Sequence, residues 1–133
     1  MDWIPWDDTL QTGHAQMDAG HKAMAGLFNQ LADAVAEHES KDFYGNLLDK
    51  IIERARAHFD LEEQLMAEHD FPKSDQHRSE HAMLISQALG YRASFAVDAA
   101  QSPVAVARFA EVWLAFHILF SDKELADFLA RTV

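Results

Sequence analysis

His58-Phe59-Asp60-Leu61-Glu62 and His77-Arg78-Ser79-Glu80-His81, which flank a segment containing Phe71-Pro72, decide the fold of this chain. In each, the outer residues are spaced i, i+4, which on a helix puts both on one face a turn apart. Imidazole and carboxylate groups stacked in this way converge above the turn and can hold an ion between them. The two segments belong to separate helices. Proline disfavours the α conformation in the residue before it, so Asp70-Phe71-Pro72 ends the first, and Ser74 or Asp75 can cap the second.

Further helices extend outward on both sides. Leu47, Ile51, Ala55, Leu65 and Met66 recur at helical spacing after a break at His38-Glu39-Ser40, and His58 and Glu62 share their stripe. Before that break, Asp18 is the expected N-cap of a helix carrying Met24, Leu27, Phe28, Leu31 and Val35, with His21 on the same stripe. Downstream of Pro72 one side carries His77, His81, Leu84, Ala88, Tyr91 and Phe95. Ser102-Pro103 supplies an N-cap and an N1 proline for a fourth helix, with Val106, Phe109, Trp113, Phe116 and Phe120 facing inward and His117 and Asp122 within it. Residues 1–17 hold Trp3 and Trp6 without a helical period and read as an irregular arm across the domain. The expectation is all-α: an antiparallel up-down-up-down four-helix bundle in a single domain, 1–133, with helices near 18–37, 41–69, 75–97 and 103–130. Gly20, Gly26, Gly45 and Gly90 fall inside these helices, and close helix packing is the expected reason.

A chain of 133 residues with 49% hydrophobic and 25% charged residues can bury a core. Its formal charge of −11, with 11 basic against 22 acidic residues, argues against nucleic acid and anionic membrane surfaces as partners. With no cysteine, disulfides and thiolate metal sites are excluded, so any transition metal must be held by nitrogen and oxygen. No basic leader with an apolar core opens the chain, and no apolar run is long enough to span a bilayer. A soluble cytoplasmic protein is expected; the sequence leaves any protein partner open.

In an antiparallel hairpin, residues equidistant from the turn lie at one depth. His21 and His58 are equidistant from the first break, His58 and His81 from the second, and His81 and His117 from the third. Glu62 and His77 bracket the same layer. Asp122, at i+5 from His117, falls about 140° away on an ideal helix and needs side-chain reach or a π-type distortion to join. A single histidine on an apolar stripe is usually a satisfied core residue. Five at one depth with two carboxylates would each need a separate partner in an apolar interior, and a metal meets that need for all of them together. Seven ligands exceed one ion with an open position and suit two ions sharing carboxylate bridges, iron first, with manganese or zinc as alternatives. The Glu-x-x-His motif of ferritin-like di-iron bundles is absent. His14, His38 and His69 fall outside the layer, where solvated or capping roles are expected; Glu63 is expected either beside the ligands or in solvent.

With His21, His58/Glu62, His77/His81 and His117/Asp122 in place, the chain resembles the hemerythrin family, whose pattern is one helix-A His, His-x-x-x-Glu, His-x-x-x-His and His-x-x-x-x-Asp. The similarity runs from about Trp6 through the fourth helix and includes His58-Phe59, Glu62-Glu63, Met66, Pro72 and Trp113-Leu114-x-x-His117-Ile118; it is strongest to the single-domain bacterial members. The resemblance implies that His77, His81 and His117 hold one iron, that His21 and His58 hold the other, and that Glu62 and Asp122 bridge them beside an oxo or hydroxo group. It further implies reversible O2 binding at the two-histidine iron, for carriage, storage or delivery, with NO and small anions as other ligands there. Leu114 matches the apolar residue that crowds this pocket. A sensor of O2, NO or redox state, or a di-iron peroxidase or NO reductase, are the other readings. No acid–base residue beyond the ligands supports turnover, so a non-enzymatic protein is expected. Gly20 stands where many members have glutamine, His14 where an aliphatic residue is common, and Leu125 where an aromatic often follows the aspartate.

Overall fold

The computed structural model describes residues 4, 6–97 and 103–131. Helix α1 spans Ala15–Ala36, α2 Lys41–Glu68, α3 Ser74–Val97 and α4 Pro103–Glu111; a π-helical segment, Val112–Asp122, joins α4 to α5, Lys123–Arg131, and with them forms the fourth arm of the bundle. The short breaks before α2 and α3 turn on single left-handed residues, His38 (φ 56°) and Asp70 (φ 52°). Ser40 caps α2 by accepting from Phe43 N–H, and Phe71-Pro72 separates α2 from α3. Among the described residues no helix is long and apolar enough to cross a membrane.

The first helix starts earlier than the sequence suggests. His14, not Asp18, is its N-cap, with Nδ1 accepting from Met17 N–H. Asp18 instead accepts from Thr12 N–H (2.8 Å), Thr12 Oγ1–H (2.7 Å) and Gly13 N–H (3.2 Å), which ties the incoming chain to the first turn. The competing principle is that a carboxylate one turn inside a helix can serve an upstream loop as well as its own N-terminus. The arm is also less irregular than expected: Asp7 caps a 3-10 turn, Asp8–Leu10. Asn29 on α1 exchanges two hydrogen bonds with the Ile4 backbone, each 2.8 Å. Trp6 packs, partly buried, on the core, while Trp3 and the Ser102 cap lie outside the described residues.

The fourth arm departs most. Val106, Phe109 and Trp113 are buried, but Phe116 and Phe120 are 60% and 67% exposed and stack on each other outside. The expected inward stripe assumed α geometry. Across the wider π turn the buried positions become Trp113, His117, Ile118 and Asp122, while Phe116 and Phe120 rotate outward. Of the helical glycines, Gly20 and Gly45 are pressed by side chains of a neighbouring helix, His58 and Arg92 respectively. Gly26 and Gly90 face open space, so close packing does not explain them.

The apolar interior comes in two blocks. One contains Met24, Phe28, Ile51, Phe59, Leu84, Phe109, Trp113 and Ile118; the other contains Met17, Met66, Phe71, Leu125, Ala126 and Leu129. On each arm the chain passes a histidine or carboxylate between one block and the other, so a polar layer crosses the bundle between two apolar seals.

Candidate metal centre

Each arm of the bundle brings its share to that layer. His21 comes from α1, His58 and Glu62 from successive turns of α2, His77 and His81 from successive turns of α3, and His117 and Asp122 from the π-helical segment. All seven side chains are buried, Glu62 at 0% and Asp122 at 1% exposure. The π geometry answers the i+5 problem: its backbone closes hydrogen bonds five residues back, as Lys123 N–H does to Ile118 C=O, so residues five apart stand one above the other.

The five histidines turn Nε2 inward, and the two carboxylates divide them. Glu62 Oε1 lies 3.0 Å from both His77 Nε2 and His81 Nε2, while its Oε2 lies 2.6 Å from His58 Nε2 and 3.4 Å from His21 Nε2. Asp122 repeats the division, with Oδ1 at 3.0 Å from His77 Nε2 and 3.1 Å from His117 Nε2, and Oδ2 at 2.8 Å from His21 Nε2. Two donor sets result, His77/His81/His117 and His21/His58, each completed by one oxygen from each carboxylate and each compact enough to hold a metal ion.

Several of these approaches lack the directionality of hydrogen bonds. Both nitrogens of His21 and His117 and both oxygens of Asp122 are buried without a hydrogen-bonding partner. Buried polar atoms are rarely left so, and converging lone pairs on nitrogen and oxygen are what a cation satisfies. In the metal-free chain, protons stand in. Burial alone would pull the His21 and His77 pKa values down, but Asp122 and Glu62 beside them more than offset this and raise His21 to about 9 and His77 to about 10. Conversely, burial pushes both carboxyls up, Glu62 adds to this at Asp122, and the surrounding histidines outweigh these effects and hold both well below the usual carboxylate range. The layer is thus an anionic cage that attracts positive charge.

Outside the layer, Glu63 Oε2 lies 3.2 Å from His81 Nδ1, and Arg78 sits 3.8 Å from the other Glu63 oxygen. A proton on Nδ1 donated to Glu63 leaves the Nε2 lone pair pointing inward, which is the tautomer that ligates a metal. Phe59 stacks face to face on the same ring, with centroids 3.9 Å apart and planes within 6°. Glu80, which the sequence reading passed over, accepts from Ser121 Oγ–H (2.8 and 2.9 Å) and approaches His117 Nδ1 at 4.0 Å. It was findable, since the midpoint of Glu80 and Ser121 falls within the third break, as that of His81 and His117 does. His14 and His69 cap helices, His69 Nδ1–H donating to Leu65 C=O at 3.0 Å, and neither joins the layer. The backbone of Leu114 lies in the π-helical segment; its side chain is outside the described residues.

Residues 12–129 match the family model for the hemerythrin HHE cation binding domain. A bacteriohemerythrin of Ralstonia nicotianae is 32% identical over 129 residues, covering 96% of this chain and 90% of the relative. A myohemerythrin of Theromyzon tessulatum is 24% identical, covering 88% and 86%. A crystal structure of a hemerythrin leucine-to-alanine mutant superimposes with a TM-score of 0.87 at 25% identity, over 98% of this chain and 99% of that one. With the fold, the four-armed layer and the match over nearly the whole length in agreement, the chain belongs to the hemerythrin family of cation-binding four-helix bundles.

Proposed function

We propose that this chain binds O2 reversibly at a di-iron centre held by His21, His58, Glu62, His77, His81, His117 and Asp122, for carriage, storage or delivery. The observation that carries the reading is the division of each buried carboxylate, one oxygen toward each of two histidine sets. That is the geometry of a bridging ligand, and it suits a pair of cations better than one. The His21/His58 set offers one nitrogen fewer than the other, so a metal held there would have room for O2, with NO and small anions as competitors. Leu114 is our proposed wall for that position. An iron pair bound here supplies the electrons that O2 takes up and gives back.

The chain's own residues do the rest. Phe59, Trp113 and Ile118 on one side and Met17, Met66 and Leu125 on the other keep water from the layer, which favours release of the ligand over its hydrolysis. Among the described residues, Thr12 is the one other buried polar side chain besides the seven of the layer, and it is committed to Asp18. A carrier needs no further proton-delivering group, whereas a peroxidase turning over at this site does.

The test is anaerobic loading with ferrous iron followed by stopped-flow mixing with O2. Iron content near two per chain is expected, together with a coloured adduct that bleaches when O2 is stripped away. Content of one or less sinks the di-iron reading. Many turnovers of peroxide or NO with an added electron donor would replace the carrier with an enzyme.

A further inference from the structure

A groove of about 540 Å³ lies between α2 and α3, with the buried rings of Phe59 and His81 in its wall. That volume is in the range of small-molecule sites. On its α3 side Ile85 and Leu89 stand one turn apart, and Leu89 is 44% exposed, so the groove shows water an apolar floor. Four charged side chains line it as well. Two of them are already engaged: Glu63 has one oxygen 3.2 Å from His81 Nδ1 and the other 3.8 Å from Arg78. The other two, Arg56 and Asp60, are exposed and stand one turn apart on α2. Their i, i+4 spacing would let them pair with each other, yet among the described residues neither makes an ion pair or a hydrogen bond. One free cation and one free anion, about 6 Å apart along the helix axis, therefore flank an apolar floor.

We propose that this groove binds a free α-amino acid with a large apolar side chain, its carboxylate on Arg56, its ammonium on Asp60 and its side chain on Ile85 and Leu89. The lining selects the class. A simple organic anion on Arg56 would also face Asp60, and a simple cation on Asp60 would also face Arg56, so each meets a like charge as well as its partner. A zwitterion whose two charges sit on neighbouring atoms satisfies both. A peptide terminus carries only one of those charges beside its side chain, which makes the free amino acid the better match. Removing an apolar side chain from water onto the floor supplies affinity that the exposed charges alone do not. The site uses none of the atoms that face the metal layer, so it goes beyond the O2 reading and does not depend on it.

Isothermal titration of the purified chain with L-phenylalanine and L-leucine measures the site. Three comparison ligands each lack one contact: 3-phenylpropionate has no ammonium, 2-phenylethylamine no carboxylate and glycine no apolar side chain. At least one of the two amino acids should bind saturably at one per chain, and each comparison ligand should bind about tenfold or more weakly. Arg56→Gln should weaken the amino acid by a similar factor while leaving 2-phenylethylamine no weaker, and Asp60→Asn should do so while leaving 3-phenylpropionate no weaker. Arg54→Gln, also exposed on α2 but outside the groove, should change nothing. All three positions are exposed, so the variants should fold as the parent does. In 13C NMR the methyl signals of Ile85 and Leu89 should move as the amino acid is added. Absence of saturable binding by both amino acids overturns the proposal, as does unchanged affinity in Arg56→Gln and Asp60→Asn. Binding of 3-phenylpropionate or 2-phenylethylamine as tight as that of phenylalanine overturns it too, because the groove would then read one charge and not two.

Discussion

Every histidine of the layer has an outer nitrogen as well as an inner one, and what the outer nitrogen meets decides how firmly the inner one is aimed. His81 is the best braced, by Glu63 at 3.2 Å and by Phe59 stacked on its face. For His117, Glu80 stands farther off, at 4.0 Å, and is itself shared with Ser121. Outer carboxylates of this kind fix the tautomer and raise ligand basicity, and losing one typically costs about tenfold to a hundredfold in metal affinity. Glu63→Ala should therefore weaken iron binding by about tenfold or more, and Glu80→Ala by less, given the longer approach. Competitive titration with a chelator measures both; equal affinities in parent and Glu63→Ala would remove Glu63 from the site. That the seven inner side chains share one buried layer was legible in the sequence, because helical spacing and the mirror symmetry of hairpins are properties of residue number alone. The stacking of Phe59 on His81 was not: it depends on which way an imidazole on another helix turns, and no spacing rule carries that.

At the scale of single elements, the fourth arm shows what a π-helix does to a pattern. Its function is to bring Asp122 under His117, and its side effect is to rotate Phe116 and Phe120 into solvent while Trp113 stays inside, edge-on to Phe28 at 5.3 Å. Trp113→Ala should cost the metal-free protein about 3–5 kcal/mol, as for other buried aromatics. Phe120→Ser should change stability by no more than about 0.5 kcal/mol, as at other exposed positions. Urea unfolding of the two variants checks the register directly, and a large loss for Phe120→Ser would mean that the arm keeps α geometry. The four arms and the breaks at His38–Ser40 and Asp70–Pro72 were readable because apolar periodicity and proline act locally. The path of 112–122 was only half readable. The i+5 spacing of His117 and Asp122 called for side-chain reach or a π-type distortion, but nothing in the composition said which of the two, or which neighbouring aromatics would turn outward.

For the whole molecule, the decisive feature is charge held between two apolar seals. Two buried carboxylates in a chain of formal charge −11 are kept ionised by protonated histidines, so the metal-free bundle carries protons where cations would bind. His21 and His77 have folded values of about 9 and about 10 against an ordinary 6.5. Their contribution to stability is therefore complete below 6.5 and is lost as pH rises through 9 to 10. Glu62 and Asp122 are depressed, so theirs is complete above the ordinary values of 4.5 and 3.8 and is lost on further acidification. The metal-free protein should be most stable between these limits, at about pH 4.5–6.5. The same protons must leave when metal enters, since a ligating nitrogen cannot keep one. At pH 7 both His21 and His77 are charged, so metal uptake should release close to one proton from each, and the release should shrink as pH passes 9 to 10. Anaerobic calorimetry with ferrous iron, repeated in buffers of different ionisation enthalpy, counts those protons. Uptake with no proton release at pH 7 would show that the carboxylates are balanced in some other way, and that the cage is not charged as its geometry indicates.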